Sequence, residues 1–204
     1  LGISRDRIVH GKAIKADVGV YPMPMRCGNT FTHVLYMIRN LVWRKLGLET
    51  DSFSNGEKRH HAKKIKFLFA ERRKLSRMPT NYYALKDHIK QDFGDICDFE
   101  TTVGETSASV QVKLFHDSDV VLGPHGANIA NMMWMRHGTH VIEMASAKKG
   151  NMCYYTTASR VNVTHQLLLH DQGKDAKYLV EYEELKAHIS HALKSVKRKF
   201  GLGG

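Results

Sequence analysis

The chain has 204 residues, 42% of them hydrophobic, and a formal net charge of +11 that leaves thirteen histidines aside. That apolar content suffices for one sizeable core and excludes a disordered chain, and no run of about eighteen apolar residues marks a membrane span. The basic excess points to anionic partners such as phosphates, nucleic acid or acidic lipid head groups.

Residues 1 to 26 read as short strands, Arg7 to Val9 and Asp17 to Tyr21, ending in the Pro22-Met23-Pro24 breaker. The opening residues lack the apolar stretch of a signal peptide and begin without Met, so the covered chain is expected to be soluble, with any signal or anchor upstream of Leu1. From Thr30 to Leu46, apolar residues recur at Val34, Met37, Ile38, Leu41, Val42 and Leu46, which predicts a helix stopped by Gly47. Residues 49 to 64 are polar and aperiodic, and form the linker candidate between a small N-terminal piece, 1 to 48, and a domain over 65 to 204.

Past the linker, strand and helix patterns alternate. Strands are predicted over Ile65 to Ala70, Asp95 to Thr101, Asp119 to Leu122 and Thr139 to Met144. The intervening helices run from Thr80 to Phe93, with Thr80 near the cap, from Thr106 to Asp117, and from Ala127 to Met135. Val161 to Leu169 reads as a further strand, and Val180 to Phe200 as a terminal helix whose Lys194, Lys197, Arg198 and Lys199 complement its dipole. Such alternation implies right-handed crossovers and an α/β, Rossmann-like parallel sheet with helices on both faces.

Ligands of such sheets bind outside the carboxyl ends of the strands, and three unusual features fall there. After the first strand comes Glu71-Arg72-Arg73-Lys74-Leu75-Ser76-Arg77, a cationic loop that is either a solvated turn or a grip for a phosphate through forked Arg hydrogen bonds. After the third strand comes Gly123-Pro124-His125-Gly126-Ala127, followed by Asn128 and Asn131. Glycines there allow close backbone approach, and the uncapped amides of a helix starting near Ala127 would form an anion pocket into which His125 points. His125 suits both phosphate contact and proton transfer, against the plainer reading of a structural turn histidine. Glu143, ending the fourth strand, is either a ribose-diol acceptor or an ordinary surface charge or Arg partner. The glycine spacing matches neither the dinucleotide fingerprint nor a P-loop.

Other features count as structural. Met132, Met133 and Met135 around Trp134 read as core, and the histidines show no paired metal-ligand spacing. Cys27, Cys97 and Cys153 are too far apart for a zinc site; a Cys27 to Cys153 bridge, like use of the Asn162-Val163-Thr164 sequon, would require an oxidising compartment.

The run VLGPHGANIANMMWMRHGTHVIEM resembles the signature of glycosyltransferase family 61, V-G-x-H-G-A-G-L-T-N followed by an apolar helix and P-G-x-x-V-I-E. ERRKLSR is similar to the family's S-R-R-x-x-x-R segment, and QVKLFHD, Gln111 to Asp117, to its Q-x-x-x-F-x-x-A helix. The likeness covers Ile65 to Met144 well and Leu1 to Leu46 loosely. It implies the C-terminal lobe of a GT-B enzyme with a small remnant of the N-terminal lobe. It further implies a metal-independent, inverting transferase that needs no cofactor and moves a sugar from a UDP-sugar to a glycan or protein hydroxyl in the Golgi or endoplasmic reticulum lumen, with a membrane involved only through an upstream anchor. By the resemblance, Arg72 and Arg77 neutralise the pyrophosphate, His125 and the amides of Gly126 and Ala127 bind it, Asn128 lines the pocket, Asn131 braces the loop, and Glu143 holds the ribose. His125 is also the candidate catalytic base. Two departures alter the pocket: Glu71 where the family has Ser, and Asn128 where it has a second Gly. The chain is expected to be a fragment or a degenerate relative. The rival readings are a basic nucleic-acid-binding module, which lacks a recognition-helix signature or aromatic-interleaved basic strand here, and a non-catalytic Rossmann-like scaffold.

Overall fold

A computed structural model describes residues 31–48, 64–72, 77–149, 153–172 and 177–200. The predicted strands Arg7 to Val9 and Asp17 to Tyr21, and the linker, lie outside these residues. Five strands, β1 (Ile65–Ala70), β2 (Cys97–Thr102), β3 (Val120–Pro124), β4 (His140–Ser146) and β5 (Thr164–His170), form one sheet in the order β2-β1-β3-β4-β5. Every pairing is parallel. The helices are α1 (Thr32–Lys45), α2 (Tyr82–Phe93), α3 (Ala108–Asp117), α4 (Cys153–Arg160) and α5 (Tyr182–Phe200).

β3 and β4 are buried at every position and β1 at all but Lys66, because each face of these strands is covered. On one face Phe67, Phe69, Leu122, Ile142 and Met144 pack against Leu85 and Ile89 of α2 and Leu185, Ile189 and Val196 of α5. On the other, Leu68, Ala70, Val121 and Val141 meet Leu35 of α1, Phe115 of α3, Ala158 of α4 and a short turn bearing Ile129 and Met132. The two edge strands carry more polar, partly exposed residues, as edges that must not pair with another chain do. Among the described residues no helix is long and apolar enough to cross a membrane.

Several local expectations change. The Thr80 hydroxyl caps nothing: it donates to the carbonyl of Tyr178 at 3.1 Å, and the helix starts two residues later. α4, CYYTTASR, was not expected, because β-branched and aromatic residues depress helix propensity and only Cys153 and Ala158 are buried. α1 turns a different face inward from the one its apolar spacing predicts. Leu35, Arg39 and Trp43 are buried, while Met37 and Leu41 stand 58% and 51% exposed. Arg39 decides the rotation: its guanidinium donates to the Met135 carbonyl at 3.0 Å, meets His137 Nε2 at 2.9 Å, and lies 4.5 Å from the Trp43 ring, so charge-assisted bonds and a cation–π contact repay its burial.

His140, at the start of β4, is 1% exposed with neither ring nitrogen hydrogen-bonded. Burial first, and then the charges of His191 and Lys199, hold its ring down from 6.5 to about 4. The unfolded chain therefore takes up a proton near pH 6.5 that the folded chain refuses until about 4. Stability from this site is whole above pH 6.5 and is lost as the pH falls toward 4, about 2 kcal/mol of it by pH 5. The variant His140→Leu should show a shallower decline in urea-unfolding free energy between pH 7 and pH 5 by that amount. Parallel declines in the two proteins would refute the assignment.

Candidate active site

The chain leaves β1, adds β2 on one side, and returns across β1 to place β3 on the other. Loops after β1 and β3 therefore part company at the carboxyl edge, and the crevice between them is where open α/β sheets bind ligands.

The loop after β1 opens with Glu71. Its Oε1 accepts from Lys86 Nζ at 2.6 Å and from the Tyr82 hydroxyl at 3.1 Å, so its charge is paired although the residue borders the crevice. Next to it the Arg72 guanidinium reaches across to β3, with Nη1 3.5 Å from the His125 carbonyl. Arg77 has a left-handed backbone, φ 63°, unfavourable for a side chain with a Cβ. The Tyr178 hydroxyl donates to its carbonyl at 2.8 Å and helps hold it there. The two guanidinium groups meet over Gly126. A Cβ at that glycine would lie 1.9 Å from Arg72 Nη1 and 4.0 Å from Arg77 Nη1. Arg73, Lys74, Leu75 and Ser76 lie outside the described residues.

Beyond Gly126 the predicted helix from Ala127 to Met135 is instead a six-residue 3-10 turn, Ile129–Trp134. Its first bonds run from Ile129 N to Gly126 O, from Ala130 N to Ala127 O and from Asn131 N to Asn128 O. So short a turn has little dipole, and the anion-attracting charge at this edge rests on the arginines rather than on a helix terminus. The turn is fixed from its side chains. Asn128 Nδ2 donates to the Glu71 carbonyl at 3.1 Å, and Asn131 Nδ2 to Gln111 Oε1 at 2.8 Å. Gln111 Nε2 in turn donates to the carbonyls of Thr106 and Gly104. Asn128 thus ties the β3 loop to the β1 loop. Arg72, Gly104, Gln111, Ala127, Asn128 and Asn131 border a cleft of about 260 Å³. A larger cleft of about 560 Å³ opens at the end of β5, where His170 and Tyr178 stack with ring centroids 3.7 Å apart. The smaller cleft takes Arg72 into its lining, and the Gly126 position, where Arg77 also comes close, adjoins it through Ala127.

On the far side of Gly126, His125 continues the sheet through its amide, which donates to the Met144 carbonyl at 2.8 Å. Its Nδ1 lies 2.5 Å from Glu143 Oε1, and the other carboxylate oxygen lies 2.6 Å from His165 Nε2. Both oxygens of Glu143, a residue 1% exposed, are occupied by imidazoles, so they are not turned toward a ribose diol. A carboxylate at Nδ1 selects the tautomer with hydrogen on that nitrogen and leaves a lone pair on Nε2. The His125 side chain keeps 21% exposure, against 4% for His165. Tyr154 of α4 sits with its ring 5.0 Å from that of His125, and Tyr155 6.1 Å from that of His165. Among the described residues no group of three His, Cys, Asp or Glu is set to hold a metal ion.

Arg72, Arg77, His125, Gly126, Ala127, Asn128 and Asn131 therefore gather beyond the carboxyl ends of β1 and β3, whereas Glu143 lies within β4, which runs on to Ser146 instead of ending at it. Sequence reasoning missed His165 and Tyr154. The first stands inside a strand, and only the β4–β5 register, Val141 opposite His165 and Glu143 opposite Leu167, brings it to the carboxylate.

The family model for Glycosyltransferase 61 matches residues 14–142, well over half of the chain. A comparison with curated proteins gives no match.

Proposed function

Because the chain belongs to glycosyltransferase family 61, whose members transfer sugars between donor and acceptor substrates, we propose that it binds the diphosphate of a UDP-sugar beside Gly126 and passes the sugar, with inversion, to a hydroxyl of a glycan or protein. The observation that carries this reading is the approach of the Arg72 and Arg77 guanidinium groups to Gly126, whose missing side chain leaves the room that Arg72 occupies. Two cations held against bare backbone at a switch point match a dianionic leaving group in charge and in size. In this reading they stabilise the departing UDP without a divalent ion.

The acceptor hydroxyl loses its proton to Nε2 of His125, and its oxygen forms a bond to the anomeric carbon. The bond from that carbon to the diphosphate oxygen breaks, its electron pair leaving with UDP, which Arg72 and Arg77 receive. Asn128 and Asn131 act by bracing the loop on which Gly126 and Ala127 sit. The compartment proposed is the lumen of the secretory pathway.

Calorimetry with UDP tests the diphosphate site. Arg72→Ala and Arg77→Ala should each weaken binding by about 1 to 3 kcal/mol, the worth of charge-assisted bonds. Gly126→Ala should weaken it as well by displacing Arg72, its side chain being closer than contact to Nη1. Unchanged affinity in both arginine variants would remove the site. Binding of RNA or duplex DNA in preference to UDP, with steep salt dependence, would favour the nucleic-acid reading instead.

A further inference from the structure

We infer that His165 is a positioning residue for His125, acting through Glu143, so that the site contains a His125–Glu143–His165 relay rather than a lone histidine. The inference rests on the reading of His125 as the base. The family match spans residues 14–142, and the resemblance gives Glu143 a different part and His165 none.

The case begins with burial. A carboxylate that is 1% exposed cannot rely on water and must have hydrogen-bond donors. The donors facing Glu143 are two imidazoles, at 2.5 and 2.6 Å, with no lysine or arginine paired to it among the ion pairs of the described residues. With one donor only, the carboxylate would swing about its last torsion, which is broad for a Glu side chain. A second donor on the other oxygen fixes the plane of the carboxylate, and with it the direction in which Oε1 faces His125 Nδ1. That direction decides the tautomer of His125 and so whether a lone pair stands on Nε2.

The arrangement is also specific to its place in the sheet. Glu143 and Val141 lie on one face of β4, two residues apart, and the parallel register sets His165 beside Val141, one pair back along the strands. His165 therefore reaches Glu143 diagonally, with its ring against Tyr155 of α4. With both rings neutral the cluster carries a single negative charge, and it becomes neutral when His125 Nε2 takes the proton of the acceptor hydroxyl. The base thus gains its proton beside a buried carboxylate already turned toward it, so little reorganisation is needed at the moment of transfer.

Imidazole nitrogen NMR on the full chain tests this without knowledge of the donor sugar or acceptor. In the unmodified protein, His125 should show one pyrrole-like nitrogen, Nδ1, and one pyridine-like nitrogen, Nε2. In His165→Leu the two forms should mix, while UDP affinity by calorimetry stays within about threefold, since the anion site is built from other residues. His165→Gln, whose amide can still donate to Glu143 Oε2, should restore the single form and guards against a folding defect in the Leu variant. A single His125 tautomer retained in His165→Leu, or lost equally in Leu and Gln variants that both bind UDP, would overturn the relay and leave the base untouched. A pyrrole-like Nε2 on His125 in the unmodified protein would instead overturn the base itself.

Discussion

His125→Asn should lower kcat for sugar transfer by about a hundredfold to ten-thousandfold, about 3 to 5 kcal/mol of barrier, while the affinity for UDP changes little. Asparagine is the informative replacement because its amide can still donate toward Glu143, as His125 Nδ1–H does in its 2.5 Å contact. What it lacks is the second nitrogen with a free lone pair, so the loss isolates proton transfer from loop geometry. The contrast with the arginine variants is the point of the measurement. In the proposed reading Arg72 and Arg77 meet the leaving group and their loss should cost binding, whereas His125 meets the acceptor hydroxyl and its loss should cost turnover at saturating donor. Following UDP release from a panel of UDP-sugars with simple glycosides as acceptors reads both quantities. Equal kcat in the Asn variant, with UDP still bound, would leave His125 as a structural partner of Glu143 and nothing more.

How far these residues were legible in advance follows from how each is held. β1, β3 and β4 are largely apolar because the sheet is parallel and covered on both sides, and even with Lys66 in β1 and Glu143 in β4 they are not mistaken for loops. Glycines and cations at their carboxyl ends then stand out by position, so Arg72, His125 and Gly126 could be named from the chain alone. Glu143 could be named but not understood. Its place on β4 was visible, whereas its partners depend on a register between strands about twenty residues apart, and register leaves no mark in composition. The turn after Gly126 misled for a related reason: Ile129, Met132 and Met135 recur as on a helix, yet i to i+3 bonding serves that spacing equally well. α1 failed in the opposite sense, because its inward face carries a buried arginine and an apolar count cannot weigh one cation against six hydrophobes. The common cause is that polar side chains buried by tertiary contacts decide these details, and hydrophobic spacing is blind to them.

The same logic predicts the largest effect on stability, at Asp119. This residue is fully buried at the mouth of β3, and it binds three ways at once. One carboxylate oxygen accepts from Arg136 Nη2 at 2.7 Å and the other from the Lys66 amide at 2.8 Å. Its own amide donates to the Lys66 carbonyl at 2.9 Å, and its carbonyl accepts from the His140 amide at 2.9 Å. Asp119 therefore sets the register of β1, β3 and β4, and through that register the distance between Arg72 at the far end of β1 and His125 just past β3. Asp119→Ala takes the carboxylate from the Lys66 amide and leaves Arg136, whose side chain is only 13% exposed, with the His116 and Asp117 carbonyls but without its counter-charge. Breaking a buried pair from one side costs about 3 to 5 kcal/mol, since the charge left behind keeps its desolvation cost without its partner. Lys66 offers the control: its ammonium also pairs with Asp98 at 3.2 Å, but those side chains are 39% and 48% exposed. Asp98→Ala should therefore cost less than about 1 kcal/mol. Urea unfolding of both variants separates a buried register pin from a surface pair, and a loss at Asp119 no larger than that at Asp98 would mean that the strand ends are held by the backbone ladder alone.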